Sequence, residues 1–329
     1  MCFIMKLTSN ALLTISIILL SSLTACSQNT KPSTSTKWDA SPVIQEMNKQ
    51  AFIDHPQQWK EITQKYNYGK KIHSLKTLNQ VLYTGNKHAS AVNSMHDFEN
   101  INYPKLTIQD NLKIINIPSF YSLKSKVRNK YVAILKSKIK QIPKKQPLIL
   151  NFSNNLGGDY RAMIAGLANF IPNGKVLSEI TKKGKVTNIT LNSNTIKQNH
   201  HTVLSLSSHY LIKRKVFVIT NENTASAAEY TIIALTRNPN VKTIGYPTAG
   251  CTTGTTGFKF GPSKKYIALI PNSKIVAPHS INGRKIFCND SIIPDIQTIY
   301  RPINNPINSS KISQTPLDKD FVKELKKMI

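Results

Sequence analysis

The chain has 329 residues, 44 Lys and Arg against 16 Asp and Glu, and a formal net charge of +28. That length can bury a sizeable core in one large domain or two modest ones, so disulfide or metal staples are not needed for folding. The positive excess favours anionic partners such as lipid head groups and cell-surface polymers; no nucleic-acid-binding motif accompanies it, which sets nucleic acid aside.

Residues 1–26 read as an export signal. Lys6 precedes an uncharged apolar run from Ala11 to Leu20, and Leu23-Thr24-Ala25-Cys26 follows. The run is too short to span a bilayer as a helix. It fits a lipoprotein signal cut before Cys26, whose thiol would carry the lipid anchor and hold the chain on the extracytoplasmic face of the cell membrane. Removing the signal takes away only Lys6, leaving +27. Residues 27–37, SQNTKPSTSTK, have the polar, Pro- and Ser-containing composition of a tether.

Residues 38–104 are expected to form a helical N-terminal region. Ser41 to Tyr66 reads as helix interrupted at His55-Pro56, and a further helix is expected from Ser74, ending at Gly85. From about Lys105 the pattern changes. Leu112–Ile117 reads as a strand. The next segment holds nine Lys or Arg between Lys124 and Lys145, but Val127, Tyr131, Ile134, Leu135, Ile139 and Ile142 keep helical spacing beneath them, as on a solvated amphipathic helix. Pro147–Phe152 reads as a buried strand, Tyr160–Phe170 as an apolar helix, Lys215–Thr220 as a strand, the segment from near Ala225 as a helix, and Val241–Tyr246 as another strand. Alternating strands and helices predict an α/β core of βαβ units over 105–316, with an inserted β element near 176–198. Tyr266–Ile270 reads as a strand, and 317–329 as a C-terminal helix.

Three segments carry chemistry. In Asn221–Leu235, NENTASAAEYTIIAL, Ser226 stands among alanines after a strand and at the first turn of a helix, where backbone N–H groups lack partners and can hold a developing negative oxygen. Read alone, this segment fits a serine N-cap better than a nucleophile. In Asn151–Met163, NFSNNLGGDYRAM, Gly157 and Gly158 follow a buried strand; they suit a tight turn or a close backbone approach to a ligand. In Leu82–Val92, LYTGNKHASAV, His88 follows a glycine turn, and a single histidine is commonly structural. His96-Asp97 is a rival base and acid in a polar loop. His200 and His201 are adjacent, which on a strand sends them to opposite faces, and no Cys-x-x-Cys accompanies them; neither a metal site nor a cofactor is expected. Cys251 and Cys288 remain after processing, and one sequence does not decide whether they pair.

Together and in this order, NNLGG, TASAAE and NPNVKTIGYPTAG resemble the carboxyl-terminal processing, or tail-specific, serine peptidase family, and GNKHAS is similar to the histidine segment of its Ser-His members, the subgroup of the nisin resistance type. The clear resemblance covers Asn151–Gly250. Where Ser-Lys members place a lysine, 25 residues after Ser226, this chain has Cys251. The resemblance implies a ClpP/crotonase-like core and a membrane-anchored endopeptidase that cuts peptides near their C-terminus, a lantibiotic among them. It implies Ser226 as nucleophile, His88 as general base, Glu229 as the acid orienting His88, and an oxyanion hole made by the N–H of Ala227 with that of Gly157 or Gly158. The competing expectation is a lipoprotein that binds peptides or wall material without cutting them.

Overall fold

The apolar runs of the middle of the chain become a sheet covered on both faces. The computed structural model describes residues 39–67, 72, 74–94, 99–207, 209–286, 288–303 and 316–329. The expected signal, Cys26, the tether and His96-Asp97 lie outside the described residues.

Among the described residues three helices come first: α1 (Ser41–Gln50), α2 (Pro56–Asn67) and α3 (Leu75–Gly85). Pro56 starts α2 at a position where its missing N–H costs nothing. Ser74 caps α3, its Oγ accepting from Thr77 N–H at 3.1 Å. After them come β1 (Ser90–Val92), β2 (Asn100–Ile101), β3 (Lys105–Gln109), β4 (Leu112–Asn116), β5 (Phe120–Tyr121), α4 (Ser125–Lys140), β6 (Leu148–Asn151) and α5 (Tyr160–Leu167), which tightens into a 3₁₀ turn over Ala168–Phe170. The chain continues through β7 (Gly174–Thr181), β8 (Val186–Leu191), β9 (Thr195–Gln198), β10 (His201–Ser205), β11 (Val216–Thr220), α6 (Ala227–Leu235), β12 (Val241–Gly245), β13 (Thr253–Phe260), β14 (Tyr266–Val276) and β15 (Ile296–Gln297), and ends in α7 (Lys319–Met328).

One sheet runs in the order β15-β12-β11-β6-β4-β3, parallel except for β3, which pairs antiparallel with β4. Its central strands β6 and β11 are buried at every residue, as parallel strands with both faces covered must be. Alternation sorts their side chains. Ile115, Leu148, Leu150, Val216 and Val218 pack in one core with α4, α5 and α6; Ile114, Ile149, Ile219 and Ile244 meet Leu317, Phe321, Val322 and Leu325 of the C-terminal segment on the other side.

The second sheet is antiparallel. Strands β7 to β10 follow one another in it, β7 pairs with the end of β14, and β14 also pairs with β1 and β13. The inserted β element is thus wider than 176–198 and is continuous with strands from both ends of the chain. Neither β1 nor β13 stands out by local pattern: β1 is three residues long, and β13, TGTTGFKF, carries glycines and threonines where apolar alternation would mark a strand. Tyr266–Ile270 runs on to Val276 because Pro271 sits where the register with β13 shifts, a place in a sheet that tolerates proline. Helices α1 to α3 form a separate core with Ala91, Phe260, Ala268 and Ile270 of this sheet. Cys251 and Cys288 are both free thiols.

The C-terminal helix packs on the second face of the parallel sheet, and Phe321 is the fully buried aromatic of that contact. Phe321→Ala should destabilise the protein by about 3–5 kcal/mol, read as a lower urea midpoint at unchanged slope.

Candidate active site

The parallel strands β6 and β11 end side by side, and their following loops are bonded to each other. Asn154 N–H donates to Asn221 Oδ1 at 2.9 Å, and Asn221 Nδ2 donates to Asn154 Oδ1 at 2.8 Å. Thr224 Oγ1 donates to Phe152 O at 3.0 Å, and Ala225 N–H to Asn155 O at 2.9 Å. The crevice beyond the carboxyl ends of such strands is where open α/β sheets place ligands.

At the end of this turn Ser226 adopts φ 55° and ψ −121°, a conformation that costs a non-glycine residue on the order of 1–3 kcal/mol. It presents the side chain at the head of α6, beside Ala227. Among the described residues, no partner takes the Ala227 N–H, as is usual in a first helical turn.

The glycine loop lies against this serine. A Cβ built on Gly157 (φ 100°) would stand 2.8 Å from Ser226 Cβ and 2.9 Å from Ala227 N; on Gly158 (φ 121°) it would stand 2.1 Å from Phe120 O. Both positions need glycine for conformation and for space. The two amides differ. Gly157 N–H is taken by Asn155 Oδ1 at 2.9 Å, whereas Gly158 N–H has no partner among the described residues and is exposed. The expected choice between Gly157 and Gly158 therefore narrows to Gly158 as a free donor, with Gly157 supplying clearance.

Glu229 is fully buried and accepts four hydrogen bonds: from Ser226 N–H at 2.8 Å, Thr248 Oγ1 at 2.5 Å, Gly250 N–H at 2.8 Å and Cys251 N–H at 2.8 Å. Burial pushes its pKa up to about 7, and the four donors oppose that rise. It makes no hydrogen bond to His88, so the role expected of it, orienting the imidazole, has no direct contact behind it in this structure. One helical turn separates it from Ser226, which brings it to the nucleophile turn itself, and its oxygens are used up there in tying that turn to segment 248–251.

His88 follows α3 and precedes β1. Its Nδ1 is 2.9 Å from Thr253 Oγ1, at the first residue of β13. Thr253 Oγ1 lies 3.4 Å from Asn289 Oδ1, and Asn289 Nδ2 donates to Asp54 Oδ1 at 2.6 Å. Lys87 reaches Ala249 O at 2.8 Å and Asn289 O at 3.1 Å, clamping the histidine turn onto the segment that Glu229 holds. The structure thus brings the segments of Ser226, Gly157, Gly158, Ala227, Glu229 and His88 together around residues 248–253. No hydrogen bond joins Ser226 Oγ to the ring. Burial lowers the His88 pKa to about 4, the bond at Thr253 opposing and Lys87 adding to the fall, so the imidazole is neutral at pH 7. Thr253, Asn289 and Asp54 were not singled out in the sequence; threonine and asparagine far apart in the chain carry no motif, and only β13 brings them to the ring.

A model described as peptidase family S41 matches residues 111–298, more than half of the chain. The chain belongs to peptidase family S41. The likeness to carboxyl-terminal processing peptidases read in the sequence is borne out, and His88 lies upstream of the matched region. The protein is also 28% identical over 196 residues to the nisin-resistance protein of Lactococcus lactis subsp. lactis, an alignment covering 59% of each chain. In fold it is similar to a lipoprotein from Streptococcus agalactiae, with a TM-score of 0.64 at 23% identity over 92% of this chain and 99% of that one. A protein from Parabacteroides merdae follows with a TM-score of 0.52 at 15% identity, over 87% and 96% of the two chains.

The depressed His88 pKa has a consequence for stability. Between pH 6.5 and about 4 the unfolded chain binds a proton at this ring that the folded chain does not, so acidification through that window removes stability, at most about 3 kcal/mol. His88→Gln should flatten this slope in denaturation measured from pH 7 to 4. The comparison isolates the ring from Glu229, whose raised pKa works with the opposite sign, adding stability as pH falls below about 7.

Proposed function

We propose that this S41 family member is a serine endopeptidase of the Ser-His type, with Ser226 as nucleophile and His88 as general base. The observation that carries the reading is the backbone of Ser226 (φ 55°), strained at a strand-to-helix turn with the unpartnered amide of Ala227 beside it. A serine serving only as an N-cap needs no such conformation; strain of this kind persists where a reactive side chain has to be held out at the mouth of a site.

The chemistry follows from the donors and acceptors present. With Nδ1–H donated to Thr253 Oγ1, His88 keeps its lone pair on Nε2 and takes the Ser226 proton as Oγ bonds to the peptide carbonyl carbon. Charge that develops on the carbonyl oxygen is met by the N–H groups of Ala227 and Gly158. Collapse of the intermediate breaks the C–N bond, His88 hands its proton to the leaving amine, and water then releases the acyl group by the same steps in reverse. The bond between Ser226 and the ring, not made in the free protein, forms as substrate closes the site; catalytic hydrogen bonds are commonly loose before substrate binds. Glu229 acts on geometry alone, fixing the turn on which Ser226 stands.

The substrate reading is a peptide cut near its C-terminus, a lantibiotic of the nisin type; the relation to the Lactococcus nisin-resistance protein supports it. The location reading is the extracytoplasmic face of the membrane, held by lipid on Cys26, supported by the signal-like N-terminus and by the fold shared with a lipoprotein. Anionic surface polymers would recruit a body of charge +27. The missing hydrogen bond between Ser226 and His88 is the observation that favours the other reading, a peptide-binding clamp on the same fold.

Both are separated by a fluorophosphonate probe and by mass spectrometry of nisin and linear peptides incubated with residues 27–329. The peptidase reading expects labelling and C-terminal cleavage, with Ser226→Ala or His88→Ala lowering turnover by roughly 10³-fold or more. A folded wild-type protein that neither labels nor cuts is a clamp.

A further inference from the structure

The ring of His88 is neutral at pH 7, so what it can do depends on which of its two nitrogens carries the proton. Only the tautomer with the proton on Nδ1 leaves a lone pair on Nε2 for the Ser226 hydroxyl. The side chain next to Nδ1 does not settle the matter by itself. Thr253 Oγ1, 2.9 Å away, is a hydroxyl and can donate to that nitrogen as well as accept from it. The Thr253 carbonyl also favours a proton on the ring, but it already takes Tyr230 OH. What turns the hydroxyl has to come from further out.

Two more side chains continue from it. Thr253 Oγ1 donates to Asn289 Oδ1 over a long 3.4 Å, and Asn289 Nδ2 donates to Asp54 Oδ1 at 2.6 Å. Imidazole, hydroxyl and amide each hold both a donor and an acceptor, so each of these links could run either way. A carboxylate only accepts. Asp54 therefore draws the NH2 group of Asn289 toward itself, which turns the amide oxygen to Thr253. That oxygen takes the hydroxyl proton, and the hydroxyl is left to accept from Nδ1–H. The other contacts of Asp54 hold the carboxylate beside the histidine turn. Its oxygens receive Asn86 Nδ2 at 3.3 Å and Lys87 N–H at 3.4 Å, and its own N–H donates to Gly85 O at 2.8 Å.

We infer that Asp54 is a positioning residue for the reaction, setting the tautomer of His88 through Asn289 and Thr253. Each hydrogen bond of the relay points toward the carboxylate, which no reversal of the inner links satisfies as well. While the ring carries the Ser226 proton, Thr253 Oγ1 still accepts from Nδ1–H, and no proton leaves along the relay. The acid that Glu229 does not supply to the ring comes instead from the connection between α1 and α2, outside the residues 111–298 that match the family. The inference takes the role of His88 from the peptidase reading, and its test reads the ring itself.

The ring nitrogens are observed at pH 7 by nitrogen NMR of residues 27–329 carrying isotope-labelled histidine, the His88 signals being those lost in His88→Gln. The wild type should show the proton on Nδ1. Asp54→Ala and Asp54→Leu should lower the ratio of the Nδ1–H form to the Nε2–H form about three- to tenfold, the change that one neutral hydrogen bond carries. Asn289→Leu and Asn289→Ala should do the same while leaving Asp54 its bonds to Asn86 and Lys87, which separates the relay from a carboxylate that only holds the turn. Two substitutions at each position guard against one that fails to fold. A wild-type ring protonated on Nε2, or a ratio unchanged in a folded variant at position 54 or 289, overturns the relay. Hydrolysis of linear peptides by the wild type is followed in parallel. No cutting with the expected ratios sinks the peptidase reading alone; cutting with a ratio indifferent to Asp54 sinks the relay alone.

Discussion

The site depends on one buried carboxylate. Glu229 collects the amide of Ser226 from its own helix and two amides and a hydroxyl from the loop after β12, so the head of α6 and segment 248–251 are fixed as one piece. That loop leads directly into β13, whose first residue contacts the imidazole, and Lys87 fastens the histidine turn to the same loop. Removing one partner from a buried charge with this many donors leaves several polar groups unsatisfied together, a loss larger than that of any single bond among them. The strain at Ser226 is sustained by the same arrangement.

How much of this was legible in the sequence depends on the range of the interaction. The βαβ core is local: apolar runs such as LILN and VFVIT have the length and flanking turns of buried strands, and the helix boundaries at Pro56, Ser74 and Gly85 follow from chemistry within a few residues. The head of α6 was legible for the same reason, since alanines, a serine and a glutamate three residues on occupy one turn. The orientation of His88 was not. Its partner Thr253 is 165 residues away, on a strand whose glycines and threonines give no apolar alternation, and Asn289 and Asp54 bear no signature at all. Assigning Glu229 to the ring rested on the family's motif and on its place one turn after Ser226; in the fold the carboxylate meets three backbone amides and a hydroxyl, because the first turn of a helix and a tight loop both expose donors that must be satisfied.

Charge follows the same division. The lysines of α4 form the solvated side of an amphipathic helix, and most of the few acids are spent as caps or ion pairs. Composition alone describes a uniformly cationic body. The structure resolves that body into a basic exterior and an interior where Asp159 caps a helix between two arginines and Glu229 ties backbone amides together, a difference that no count of residues could reveal.

Pairing between β1 and β14 sets residues 90–92 against 267–269. A growing chain carries this imidazole once little more than a quarter of it is made, but the strand that receives β1 emerges only when most of the polypeptide exists. Until then the ring has no fixed relation to the alcohol at the head of α6. The ladder of β1 on β14 is therefore among the last contacts that a chain made from its N-terminus can close, and the place of His88 relative to α6 is settled only with it.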